Sequence, residues 1–278
     1  VLELHGGSSA YTYAGGNIYI NNAAALRISP GSYDQYWFNR KNFIFDSNGG
    51  GTIDTTSGLN FVVYGGSTVT TNGGQQNSIV GASGINLHAG NTLNFDVASG
   101  ADPVDLDVPA RLWNSGGINK TGSGVLRLPG ANTYKGGTYI EAGAVSVGAD
   151  NNLGGGAVRF TGNGTLHISS SFATDKELLA NNSGWGPRSI TVDVNDGATF
   201  ITNGNVRIYA ASAGNVYKTG NGTWSIAAYS GQWDKPLFVN EGRAALLNSG
   251  AVGGGDPITI TVADGAQAYL NAGGTYNN

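Results

Sequence analysis

Asp102, Asp105 and Asp107 crowd the segment Ala101-Asp-Pro-Val-Asp-Leu-Asp-Val108. Carboxylates so spaced could offer hard oxygen ligands to Ca²⁺ or serve as an acidic pair. The same alternation fits a turn or strand edge with aspartates directed at water, and that reading is preferred. Gly49-Gly-Gly-Thr-Ile-Asp54 only approaches the calcium-binding nonapeptide of β-rolls. His5, His88 and His167 are far apart, each flanked by Leu or Ile in an alternating stretch, so each is expected to face solvent. No Ser stands in a nucleophile elbow, and no phosphate-binding Gly-x-x-x-x-Gly-Lys-Ser/Thr occurs. The aromatics offer more. Tyr33, Tyr36, Trp37 and Phe38 crowd one stretch, and Trp113, Trp185, Tyr229 and Trp233 stand in turn-like contexts. Exposed rings can stack on sugars or anchor a protein partner, which makes Tyr33, Tyr36, Trp37, Phe38, Trp185 and Trp233 the candidate contacts. The alternative is that they cover the corners or ends of the fold.

These residues must be positioned by an unusual chain. Of 278 residues 47 are Gly, none is Cys or Met, and only 12% are charged. Hydrophobic residues at 40% with so little charge exclude a disordered chain. The lack of cysteine excludes a disulfide framework and thiolate-bound metal. A formal charge of −4 gives no basic stripe for nucleic acid. No apolar run approaches the ~20 residues of a membrane-spanning helix, so no membrane insertion is expected in this region. The chain shows neither a signal peptide nor an initiator Met, as expected of a portion of a longer precursor.

Short runs such as Asn42-Phe-Ile-Phe45, Thr92-Leu-Asn-Phe-Asp-Val97, Ser189-Ile-Thr-Val-Asp-Val194 and Ile258-Thr-Ile-Thr-Val262 alternate with period two. Each therefore has an inner and an outer face. Pairs such as Asn163-Gly164, Asp196-Gly197 and Asn221-Gly222 mark tight turns and would also suit the hairpins of an antiparallel sandwich. Internal repetition argues against hairpins. Val216-Tyr-Lys-Thr-Gly-Asn-Gly-Thr-Trp-Ser-Ile226 repeats Ile118-Asn-Lys-Thr-Gly-Ser-Gly-Val-Leu-Arg-Leu128, with Lys218 standing 98 residues after Lys120. Val1-Leu-Glu-Leu-His-Gly6 and Tyr13–Ile20 resemble parts of the same unit. Repeated supersecondary units stack. The expected fold is all-β, a right-handed parallel β-helix over 1–278, with repeat copies at 116–154 and 216–255 and a truncated one at 1–28. Two excursions are expected. One is Ser29–Lys41; the other is Phe172–Ala180, where Thr174 and Glu177 have capping-box spacing.

Segment 116–154 resembles the passenger-associated repeat, also called the autotransporter-associated β-strand repeat. The residues that carry the resemblance are Gly117, Lys120, Gly122, Gly124, Leu126, Leu128, Gly130, Asn132, Thr133, Tyr134, Gly136, Gly137, Thr138, Ile140, Gly143, Val145, Val147, Leu153 and Gly154. In the later copy, Ala228-Tyr-Ser-Gly-Gln-Trp-Asp replaces the Asn-Thr-Tyr box. The resemblance implies a secreted or surface-displayed protein of a Gram-negative bacterium, with the repeat as an architectural unit, no catalytic residues and no cofactor. A β-helical stalk or fibre used for display, adhesion or self-assembly is thus expected. The alternative is a polysaccharide lyase or glycoside hydrolase, whose carboxylates would have to gather across turns. Gly273-Gly-Thr-Tyr-Asn-Asn278 read into Val1-Leu-Glu-Leu-His-Gly6 approximates the internal motif. Expected partners are therefore further turns of a longer chain, other copies head to tail, surface glycans or a cell-surface protein.

Overall fold

The computed structural model describes residues 2–5, 10–12, 16–21, 23–29, 35–56, 60–180, 188–208, 213–228, 233–248 and 258–271. Every strand pairing among them is parallel, and short strands with almost no helix make up both compact units of the chain. A parallel pair needs a long crossover between its strands; here that crossover is one full turn of a coil.

The first unit comprises 1–146 and 151–156. The chain visits three faces in turn, as in Thr52–Asp54, Asn60–Tyr64 and Thr68–Thr71, followed by Asn77–Val80, Ile85–Leu87 and Thr92–Val97. Register keeps like with like. Ile18, Phe43, Val69 and Phe95 form an inward column on one face, and Leu26, Ile53 and Ile79 form one on another. On the third face, a six-stranded sheet, Tyr36, Phe61, Ile85 and Leu112 stack inward. All of these side chains but the half-buried Ile18 are buried, and stacked columns of this kind remove apolar surface from water along the coil.

Turn length varies while the columns persist. Leu26 pairs with Ile53, 27 residues on, and Ile53 with Ile79, 26 on. Asn77 pairs with Leu106 at 29, Leu106 with Leu126 at 20, and Leu126 with Val145 at 19. Corners absorb the differences. The corner between Thr68–Thr71 and Asn77–Val80 spans 72–76, the next equivalent spans 98–105, and the one after that only 122–124.

The second unit comprises 147–150 and 157–278 and is built the same way. One face carries Thr165–Ile168, Arg188–Val194, Ala213–Thr219, Leu237–Val239 and Ile260–Val262. A second is the five-stranded sheet of Phe172–Thr174, Thr199–Thr202, Thr223–Ile226, Arg243–Leu246 and Gln267–Leu270, and a third holds Val158–Phe160, Leu178–Ala180 and Val206–Ile208. The alternation Ile190, Val192, Val194 is buried as expected.

Both expected excursions need correction. Gln35–Asn39 is a strand paired from Gln35 with Asn60 to Asn39 with Tyr64; the Tyr-Trp-Phe alternation obeys the period of the sheet. Residues 30–34 lie outside the described residues. Phe172–Ala180 is not helical. Phe172–Thr174 pairs with Phe200–Thr202 and Leu178–Ala180 with Val206–Ile208. One helical turn is marginal without tertiary support, whereas these strands satisfy their backbone against the next turn.

Candidate functional site

The chemistry the sequence offered is consumed at the corners of the coil. Lys120 occupies an inward position, between Phe95 and Ile140 in the column that begins at Ile18. It is fully buried. A lysine there must satisfy three donors without water. Nζ donates to Thr121 O at 2.6 Å, Gly122 O at 2.8 Å and Ala142 O at 3.1 Å. Burial nevertheless pushes the amine down to about 8, opposed by the nearby charges of Asp96 and Asp105. Thr121 Oγ1 donates to Asp96 Oδ1 at 3.1 Å.

The second unit builds the same cage. Lys218 sits between Val192 and Val239 and is fully buried. Its Nζ donates to Thr219 O and Gly220 O at 2.6 Å each and to Glu241 O at 3.3 Å. Burial brings it too down to about 8, against Asp193 and Glu241. Thr219 Oγ1 donates to Asp193 Oδ1 at 3.0 Å. Gly143 and Gly242 close the two cages at φ +65° and +62°, and a Cβ on either would lie 2.4 Å from the carbonyl oxygen of Gly124 or Gly222. The lysine and glycines of the repeat thus form a corner clamp whose donors come from one turn and whose acceptors come from two.

The Asn-Thr-Tyr box forms a second corner device. Asn132 Oδ1 accepts from Leu112 N at 2.8 Å and its Nδ2 donates to Asn152 O at 2.7 Å. Asn152 Nδ2 in turn donates to Gly130 O at 3.0 Å. The Tyr134 ring is buried, its hydroxyl bonded to Thr138 Oγ1, and burial raises the phenol's pKa. In the later copy an indole serves instead. Trp233 is buried, its Nε1 donates to Lys235 O at 2.8 Å, and its ring stacks on Trp224 at 6.0 Å between centroids.

The aspartates do not gather. Asp105 is buried, accepting from Gly100 N and from Val125 N, the latter at 2.7 Å; the expectation that it points at water is corrected by this corner role. Asp107 takes a bidentate pair of 2.8 Å bonds from Arg127, and Asp102 accepts from Gln76 N. No group of three metal-ligating side chains forms among the described residues. His167 lies on the outer side, 2.8 Å from Asn195 Oδ1, and half-buried His88 sits in a short turn. The side chain of His5 is outside the described set, as are Tyr33, Trp185 and Tyr229.

The candidate aromatic contacts divide. Tyr36, Phe38 and Trp233 are buried, with Phe38 against Phe43 and Phe61 at 5.2 and 4.5 Å; all three are core, Tyr36 and Phe38 because the strand's inward alternation places them there, and Trp233 at an isolated bridge to Ile208. Trp37 points outward and meets His88 edge-on at 4.7 Å. Trp113 lies on the strand Leu112–Asn114 rather than in a turn.

Two comparisons bear on these corners. Residues 118–147 match the passenger-associated-transport-repeat. That segment holds Lys120, Asn132, Tyr134 and Gly143, the residues that build the first clamp and the tyrosine corner. The adhesin BmaC autotransporter of Brucella suis biovar 1 (strain 1330) is 27% identical over 177 residues. The match covers 60% of this chain but only 5% of that adhesin's length. No solved structure matches. No helix among the described residues is long and apolar enough to cross a membrane.

Proposed function

We propose that this chain is a non-enzymatic, β-solenoid part of an autotransporter passenger, held outside a Gram-negative cell as a scaffold for adhesion. The observation that carries the reading is the duplicated lysine cage. Two lysines with lowered pKa, the feature most suggestive of catalysis, are each spent on three backbone carbonyls. The repeat match and the adhesin relative support display at the surface. Carboxylates that a polysaccharide-cleaving enzyme would need in a groove serve instead as ties within the coil, Asp105 at a corner and Asp107 to Arg127 on the neighbouring strand.

The test is twofold. In the source bacterium, the segment should be cleaved by added protease and labelled by antibody on intact cells. The purified chain, incubated with a panel of polysaccharides, should release no reducing ends. Sugar release, or protection from protease in intact cells, would overturn the proposal. Head-to-tail association of copies belongs to the same proposal as a mode of extending the scaffold; filaments in negative-stain microscopy of the purified chain would support it, and monodisperse particles would remove it.

A further inference from the structure

The outer side of the first unit's six-stranded sheet differs from the rest of the chain. Trp37, Val62, Asn86, Trp113 and Thr133 pair in one outward column. Trp37 and Trp113 stand three turns apart, roughly 14 Å at the spacing of neighbouring strands. Both are half-buried. Val62 and Asn86 between them are buried, Asn86 Oδ1 accepting from Asn114 Nδ2 at 2.7 Å. His88 packs against both Trp37 and Tyr64, the latter at 5.9 Å, and Tyr64 remains 41% exposed. At the other end Arg111 lies over the Trp113 ring at 5.8 Å. Its guanidinium is fixed by two bonds to Thr133 Oγ1, at 2.8 and 3.3 Å. Exposed Lys135 follows on the next strand's end.

Charge on this face is one-sided. The segments Gln35–Arg40, 60–64, 85–91, 111–116 and 132–136 that build it contain Arg40, His88, Arg111 and Lys135 and no Asp or Glu. The chain as a whole carries 18 acidic residues against 14 Lys and Arg. Half-buried tryptophans spaced along one sheet suit sugar rings presented in series, and the Arg111 guanidinium held by Thr133 and the exposed Lys135 ammonium suit anions beside them. Neither tryptophan lies in a mobile loop, so little ordering cost accompanies binding.

We infer that this face binds an acidic polysaccharide laid along the coil, its sugar rings on Trp37 and Trp113 and its anionic groups on Arg111 and Lys135. The inference rests on the reading of the chain as a displayed scaffold and supplies the ligand class for it. Hydrophobic stacking fixes the sugar faces, while the cations favour anionic chains over neutral ones.

The test uses the purified 278-residue chain and three probes: oligogalacturonate, a heparin oligosaccharide and neutral maltohexaose, with calorimetry at two salt concentrations. At least one acidic probe should bind at least ~10-fold more tightly than maltohexaose, more weakly at the higher salt. Equal or tighter binding of oligogalacturonate shows that carboxylates suffice, and preference for heparin, which carries both, shows that sulfates add to them; either supports the inference. Trp113→Ala should weaken binding ~10-fold or more. The double variant Arg111→Gln, Lys135→Gln, at exposed positions, should weaken it comparably and flatten the salt dependence, which keeps the test sound if Trp113→Ala loses its far-UV circular dichroism. Equal binding of the neutral probe, no binding of either acidic probe, or binding untouched by the charge variant would each overturn the inference. Reducing ends are assayed in the same samples. Release of sugar contradicts the scaffold reading but leaves this face a binding site, whereas loss of binding without release contradicts only this inference.

Discussion

Replacing Lys120 with Met keeps the unbranched apolar stem of the side chain, one atom shorter, and removes its charge and donors. Two effects oppose each other. Thr121 O, Gly122 O and Ala142 O lose their partner, and a buried group left without a partner costs ~2 kcal/mol, roughly 6 kcal/mol for three. Against this, the drop of the lysine from 10.5 to about 8 corresponds to ~3 kcal/mol of burial penalty that the variant no longer bears. The net expectation is a loss of ~3 kcal/mol at pH 7. Urea transitions of parent and variant, followed by far-UV circular dichroism, measure it. Hydrogen exchange locates it, since the amides of Glu141 and Ala142 donate to Lys120 O and should exchange faster. Lys218→Met repeats the experiment in the second unit. A variant within ~1 kcal/mol of the parent would show that the cage is incidental and that apolar filling alone holds this corner.

The same lysines set a pH dependence. Their folded pKa of about 8 lies below the ordinary 10.5, so between these values the unfolded chain binds more protons and stability rises with pH, by ~2 kcal/mol per lysine between pH 8 and 9.5. Above about pH 10 the buried Tyr134 phenol, raised by burial, opposes this rise because only the unfolded form ionises, and it overtakes the two lysines only at ~pH 10.7; melting across pH 7–12 should show the rise and a late maximum, and the double Lys→Met variant should lose the rise. Gly143→Ala places a methyl 2.4 Å from Gly124 O at φ +65° and should cost at least ~2 kcal/mol in urea unfolding. Asn132→Ala strands Leu112 N and Asn152 O and should cost ~2–4 kcal/mol, whereas Tyr134→Phe, losing one hydroxyl bonded to Thr138, should cost ~1 kcal/mol by the same measurement.

Where pattern and physics are local, the fold was open to reading. Ile190, Val192 and Val194 alternate, and the sheet buries them; Gly122 and Gly124 punctuate, and a corner turns there. Features that depend on the adjoining turn were hidden. Lys120 was visible as a repeat residue, but its cage takes Ala142 O from the next turn and the charge of Asp96 from the previous one. Thr174 has capping-box spacing to Glu177, yet its hydroxyl bonds to Asp150 Oδ1 at 2.6 Å, 24 residues back. Ser29-Pro-Gly-Ser signalled a loop strongly enough to obscure the strand alternation of Tyr36, Trp37 and Phe38. The column from Trp37 to Trp113 was hidden because turns of 25, 24 and 27 residues separate its members. No single sequence period aligns them.

The tolerance of the coil for corners of three to eight residues makes it a natural carrier for grafted peptide. The corner 98–105 already holds the longest of these detours, with Ala101, Asp102 and Pro103 exposed and its base tied down by Asp102 to Gln76 N and Asp105 to Val125 N. An epitope spliced after Pro103 would leave both ties and every column intact. Decoration and scaffold can therefore change independently in this architecture.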